Sequence, residues 1–168
     1  MSNDTLVTSG RVALAKLLNA SKFLFALSRG NPSWDGMWAT PNPPVPPINA
    51  TGVLDLMGYA RPTIQDFLTP DDAGVIIEEG GGKYSVSASP TRYARFKLSL
   101  EPGVYAGNTL REIGLFMNPT IDPSVPSSQY MIPANKVTLA GDLLQLHWRE
   151  AQPITEGDHF SRNFIVRL

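Results

Sequence analysis

The sequence predicts a mainly β protein: an antiparallel β-sandwich-like single domain over residues 1–168, with a short N-terminal α-helix and a proline-rich loop or arm at 31–48. Three observations carry this. Fifteen prolines and fourteen glycines interrupt the 168 residues too often for long helices. Several segments alternate apolar and polar residues with period two, as strands do when one sheet face is dry and the other wet. At 42% apolar residues, the chain is long and hydrophobic enough to bury a core of its own.

The elements follow in order. A helix is expected through "GRVALAKLLNA", capped by Thr8 or Ser9, with Leu14, Leu17 and Leu18 sharing an apolar face with Ala13. "KFLFALSRG" places β-formers at Phe23, Phe25 and Leu27 and ends on the turn signal Gly30-Asn31-Pro32, so it reads as a strand. Residues 31–48 hold Trp34 and Trp38, then Pro41, Pro43, Pro44, Pro46 and Pro47. Proline donates no ladder hydrogen bond, so this stretch favours extended polyproline geometry outside any sheet. "TGVLDLMGYA" fits a second short helix capped at Thr51, and "RPTIQDFLTPDDAG" returns to strand and turn. "TRYARFKLSLE" alternates Ala94, Phe96, Leu98 and Leu100 against Tyr93, Arg95, Lys97 and Ser99. "TLREIGLFM" and "DLLQLHWREA" read alike, the latter with Leu144, Leu146 and Trp148 opposed to Gln145, His147 and Arg149. "FSRNFIVRL" sets Phe160, Phe164, Val166 and Leu168 on one face.

Charge and composition bear on function. Fourteen basic against fifteen acidic residues leave a formal charge of -1, without the global field that draws a protein to nucleic acid or anionic lipid. No cysteine is present, so disulfides, thiolate nucleophiles and sulfur-ligated zinc are excluded. The longest apolar run is the short "FLFAL", far below the roughly 18 residues of a membrane span, and "MSNDTLVTSG" does not read as a secretory leader.

Chemistry finds little footing. "EEGGGKYS" at 78–85 suggests a phosphate loop, but Ile77 stands where the first glycine is needed and Tyr84 where a hydroxyl residue should hold magnesium. A glycine-rich hairpin or loop between "GVIIEE" and "KYSVSAS" explains the stretch, with Lys83 as a solvent or interface charge. His147 and His159 sit in no metal pattern, and "PITEGDHF" around His159 reads as a turn. The doublets Asp71-Asp72 and Glu78-Glu79 point to opposite faces of an extended chain and supply no acid/base pair across a cleft. No serine elbow occurs. The expectation is therefore no catalytic residue, no metal and no cofactor. Trp34, Asp35 and Trp38 admit two readings: a sugar-stacking platform, or rings that pin the proline-rich loop to the core or to a neighbouring subunit.

The segments "SRGNPSWD" at 28–35, "GGKYSVSASPTRYARFKLSL" at 81–100 and "LREIGLF" at 110–116, in this order, resemble virion proteins of tailed bacteriophages, of the tail-tip, baseplate or tail-fibre-associated class. The resemblance implies a non-enzymatic structural subunit of the phage tail or baseplate. It would be made in the bacterial host cytoplasm and held in the particle by contacts with itself, as a homo-oligomer, and with other tail proteins, with no nucleic acid and no membrane insertion. A carbohydrate- or receptor-recognition module for host adsorption is the alternative. Within "LREIGLF", Arg111 and Glu112 are expected to open the strand as a neighbouring ion pair at its rim. Ile113, Leu115 and Met117 would share one face, and Gly114 would leave the other open to close approach. With Trp34, Trp38 and the five prolines 41, 43, 44, 46 and 47, the residues Arg111, Glu112, Gly114 and Phe116 make up the expected interface set.

Overall fold

The computed structural model describes residues 5–78 and 81–168, and an N-terminal helix followed by twelve short strands carries them. This is the mainly β, antiparallel class with an N-terminal helix that the sequence predicts. The chain gathers into two compact units, one from the residues through Ser21 with Thr63–Leu98 and Ser161–Leu168, the other from Lys22–Pro62 and Ser99–Phe160.

In the first unit, α1 (Thr8–Ala20) starts from Val7, whose carbonyl accepts from Arg11 N at 3.0 Å. Neither Thr8 nor Ser9 caps it: the ladder begins one residue earlier than expected, which puts both hydroxyls inside the first turn. The expected apolar face is also displaced. Ala15 is the fully buried residue, with Val12 and Leu18 half-buried, whereas Ala13, Leu14 and Leu17 look outward. At the C-terminal end of the helix the Gln65 amide donates to the Asn19 carbonyl (2.5 Å).

The sheet of this unit has the order β12-β6-β3-β5-β4. β3 (Ile64–Pro70) is central, paired antiparallel with β6 (Tyr93–Leu100) and β5 (Lys83–Ser87), and β5 with β4 (Ile76–Ile77). β6 buries Ala94, Phe96, Leu98 and Leu100 as its alternation predicts; Arg95 is buried too, because it forms a two-pronged ion pair with Asp66 on β3. Leu68, Ile76, Tyr84 and Ile165 of β12 (Phe160–Arg167) form a core cluster.

The β4–β5 connection is the hairpin expected at "EEGGGKYS". Glu78 N donates to Gly82 O (2.8 Å), Gly81 N donates to Glu78 O (2.9 Å), and Gly81 takes φ +86°, which favours glycine. Lys83 is exposed. Glu79 and Gly80, also named in that reading, lie outside the described residues.

The second unit is built on the sheet β11-β7-β1-β2-β9, beside a two-stranded β10-β8 sheet (Val137–Leu139, Thr120–Ile121). β1 (Phe23–Ser28) is the expected strand, but all six residues are buried rather than alternate ones. It lies between β2 (Leu56–Ala60) and β7 (Thr109–Met117), antiparallel to both.

β2 stands where a second helix was expected. Ladder partners on β1, from Phe25↔Ala60 to Ser28↔Leu56, and on β9 (Met131–Ile132) override a weak local helical preference. Gly58 is needed there, since a Cβ would fall 2.0 Å from the Tyr105 hydroxyl. β11 (Asp142–Pro153) pairs with β7 through two register shifts. Leu24, Ala26, Tyr59, Phe116 and Ile132 form this unit's core cluster. No described helix is long and apolar enough to cross a membrane.

Candidate functional site

The stretches "SRGNPSWD" and "LREIGLF" are 76 residues apart where Asp35 meets Arg111, and the fold interlocks them. β1 ends at Ser28, whose ladder partner on β7 is Glu112. Beyond it the chain turns at Gly30 (φ +59°). A Cβ there would lie 2.7 Å from the Trp34 ring and 2.9 Å from Arg111 Cβ, so both the backbone and the space require glycine. Asn31 caps a 3-10 turn, Pro32–Trp34, by accepting from Ser33 N at 3.0 Å. That turn drives Trp34 inward, where its ring stacks on Trp148 of β11 at 4.0 Å and 26°. Trp34 is buried.

Glu112 sits beneath this stack and is 1% exposed. Its Oε1 accepts from Trp148 Nε1 (2.7 Å), and its Oε2 accepts from Ser28 Oγ (2.9 Å) and Leu54 N (2.6 Å). Ser28 Oγ in turn accepts from Gly30 N (2.9 Å). One carboxylate thus ties the end of β1, the loop before β2, and β11 to the middle of β7. Arg111 donates to both Asp35 oxygens (2.6 and 2.8 Å) and to the Arg29 carbonyl, and Arg29 pairs with Asp55 at 2.8 Å. The Arg111 hydrogen bond holds the Asp35 carboxyl below the usual carboxylate range, and the Asp35 hydrogen bond raises Arg111.

Arg111 and Glu112 are therefore not a rim pair with each other. Successive residues of β7 point to opposite faces, so Arg111 reaches the 3-10 turn while Glu112 is buried among hydrogen-bond donors. Gly114 does admit close approach: a Cβ would meet Val53 Cγ1 at 2.9 Å and Leu143 Cδ1 at 3.1 Å. Phe116 is buried in the core cluster. Trp38 is half-buried with its indole N–H enclosed, outside the Trp34–Trp148 stack.

Residues 43–47 take neither helix nor strand. Pro41, Pro43 and Pro47 are exposed and Pro44 and Pro46 half-buried, while Val45 is 78% exposed and Ile48 fully exposed. Pro47 also borders a cavity of about 600 Å³ lined by Trp34, Val53, Leu54, Glu112 and Trp148. Sequence reasoning missed Trp148 as the partner of Trp34, and Ser28 as a ligand of Glu112; both depend on strand pairing that no local signal reveals.

The other polar candidates are structural in setting. Asp158 accepts from Thr155 N (2.8 Å) in a turn, and His159 beside it is exposed. His147 is held down to about 4 by burial and by the nearby Arg149 cation. Asp71 accepts from Ala73 N and Ser85 Oγ. Among the described residues no group of three or more acidic or histidine side chains is placed to hold a metal ion.

The most distinctive motifs thus clamp a 3-10 turn onto the sheet, beside a proline-rich segment whose Val45 and Ile48 are exposed. The chain belongs to the family described as "Baseplate wedge 3 tail fiber network component", whose model matches residues 4–168. It is a structural protein of the phage tail, carried in the virion at the baseplate and tail-fibre network, where it contacts other tail proteins. A comparison with curated proteins finds no match.

Proposed function

We propose that this subunit works by assembly contact alone, without turnover, and that its proline-rich arm at 41–48 is a principal contact with other tail proteins and with further copies of itself. The observation that carries this is the contrast between the arm and its root. Val45 and Ile48 expose 78% and 106% of their surface, while Trp34, just upstream, is buried and stacked on Trp148, which Glu112 holds in turn. Prolines restrict the unbound chain and so reduce the entropy lost when such a segment docks. The putting of large apolar side chains on a stiff arm favours burial against another chain.

The test is deletion of residues 43–46 in the full chain. We expect unchanged circular dichroism and thermal unfolding of the isolated subunit, with loss of incorporation into tails. An unfolded subunit would assign the arm to the core; normal tails would remove it from assembly.

Host-surface recognition through Trp34 has less support. Trp148 covers one face of its ring and the ring is buried, so the stacking surface a sugar needs is taken within the subunit.

A further inference from the structure

Arg29, Arg95, Arg111 and Arg167 each meet a carboxylate of their own chain. Arg149 on β11 does not. Its Nε and Nη1 are enclosed by the protein, and neither has a hydrogen-bond partner among the described residues. The guanidinium carbon stands 5.1 Å from the centre of the Phe160 ring, which faces the cation but supplies no lone pair for its N–H groups. Burial pushes Arg149 below the usual arginine range, and its charge still acts on His147.

The backbone singles out the same residue. β11 and β7 are in register at Trp148↔Glu112 and again at Gln152↔Leu110, so residues 149–151 of β11 stand against Arg111 alone. A bulge of this kind re-aims a side chain and interrupts the ladder. β11 is also the edge strand of its sheet, and Arg149 is half-buried, with Nη2 not enclosed as the other two nitrogens are. The group can therefore be approached from solvent. A guanidinium buried without a counter-ion weakens a fold rather than supporting it, and its planar fork matches a carboxylate. We propose that Arg149 docks an acidic side chain of a neighbouring tail protein, which supplies the counter-ion on assembly. The inference rests on the assembly reading above. A second copy fits less well: the exposed Glu150 could offer the carboxylate, but the bulge breaks the regular edge along which two β11 strands would align.

Two substitutions in the full chain test this. Arg149→Met removes the buried charge and keeps most of the apolar stem. The urea midpoint of the isolated subunit should be unchanged or higher, while incorporation into tails should fall at least about tenfold. Arg149→Lys keeps a cation. In assembled tails treated with a carbodiimide, the introduced amine should form an amide with an Asp or Glu of another tail protein, located by peptide mass spectrometry. Should Arg149→Met lower the midpoint, this cross-link decides. Normal incorporation of Arg149→Met, incorporated Arg149→Lys subunits without a cross-link, or a cross-link to Glu150 of another copy would overturn the proposal, the last by making a second copy the occupant. A wild-type midpoint raised by sodium acetate over sodium chloride at equal ionic strength, beside normal tails from Arg149→Met, would overturn it in favour of a free carboxylate. Normal tails from Arg149→Met beside failed assembly of the arm deletion remove this contact alone, whereas normal tails from the arm deletion count against the arm and not against Arg149.

Discussion

Replacing Glu112 with glutamine changes one oxygen for an NH2 group and little in volume, which makes it a sharp probe of the clamp. The amide oxygen can retain the position of Oε2, where Ser28 Oγ and Leu54 N both donate. Its NH2 then faces Trp148 Nε1–H, donor against donor, at a site that had held a 2.7 Å hydrogen bond. Turning the amide over is worse, since Leu54 N–H would lose its acceptor and Ser28 Oγ already accepts from Gly30 N. A buried donor left unpaired costs about 1–3 kcal/mol. For a chain of this size that corresponds to a fall in Tm of very roughly 2–12 °C.

The decisive measurement is a double-mutant cycle by urea unfolding with Glu112→Gln, Trp148→Phe and the pair. Trp148→Phe removes the N–H and trims the ring that stacks on Trp34, so it destabilises by itself. In the glutamine background, however, it also removes the opposed donor. The double variant should therefore lose about 1 kcal/mol less than the sum of the singles, with m unchanged. Additivity within about 0.3 kcal/mol would show that the carboxylate and the indole are not coupled, and the clamp as described would be wrong.

Trp34→Ala, by vacating a buried stacked ring, should cost about 3–5 kcal/mol in the same unfolding assay. Gly30→Ala combines a positive φ with a Cβ placed against Trp34 and Arg111, so a loss of about 2 kcal/mol or more is expected; a neutral result would mean that the turn can move. His147 titrates near 4 in the folded chain against about 6.5 unfolded, because burial and Arg149 disfavour its charged form. The unfolded chain then binds more protons between those values, so stability should fall as pH drops from about 6.5 towards 4. His147→Gln should flatten that part of a pH series of denaturation midpoints. The ion pair that lowers Asp35 acts in a lower window: its contribution should be present above about 4 and be lost on further acidification, a loss absent from Asp35→Asn.

The sequence by itself determined the β class, the N-terminal helix, the strand at "LREIGLF" and the exclusion of residues 43–47 from any ladder. Those follow from local physics: period-two alternation, glycine and proline punctuation, and the proline nitrogen that cannot donate. It also placed the glycine hairpin ahead of Lys83. Where a residue's role depended on what lay across from it, local pattern was insufficient. "TGVLDLMGYA" scans as a helix until β1 and β9 offer it ladder partners. Leu14 and Leu17 scan as a core face, yet in the fold Ala15 is the buried residue of α1 and both leucines are exposed. Arg111 and Glu112 are neighbours in sequence and expected partners, but the pleat sends them to opposite faces, one to Asp35 and the other to Ser28, Leu54 and Trp148. Pairing, register and burial are set by contacts across tens of residues, so only the tertiary structure could turn an adjacent ion pair into a buried clamp and move the buried side of α1 from Leu14 and Leu17 to Ala15.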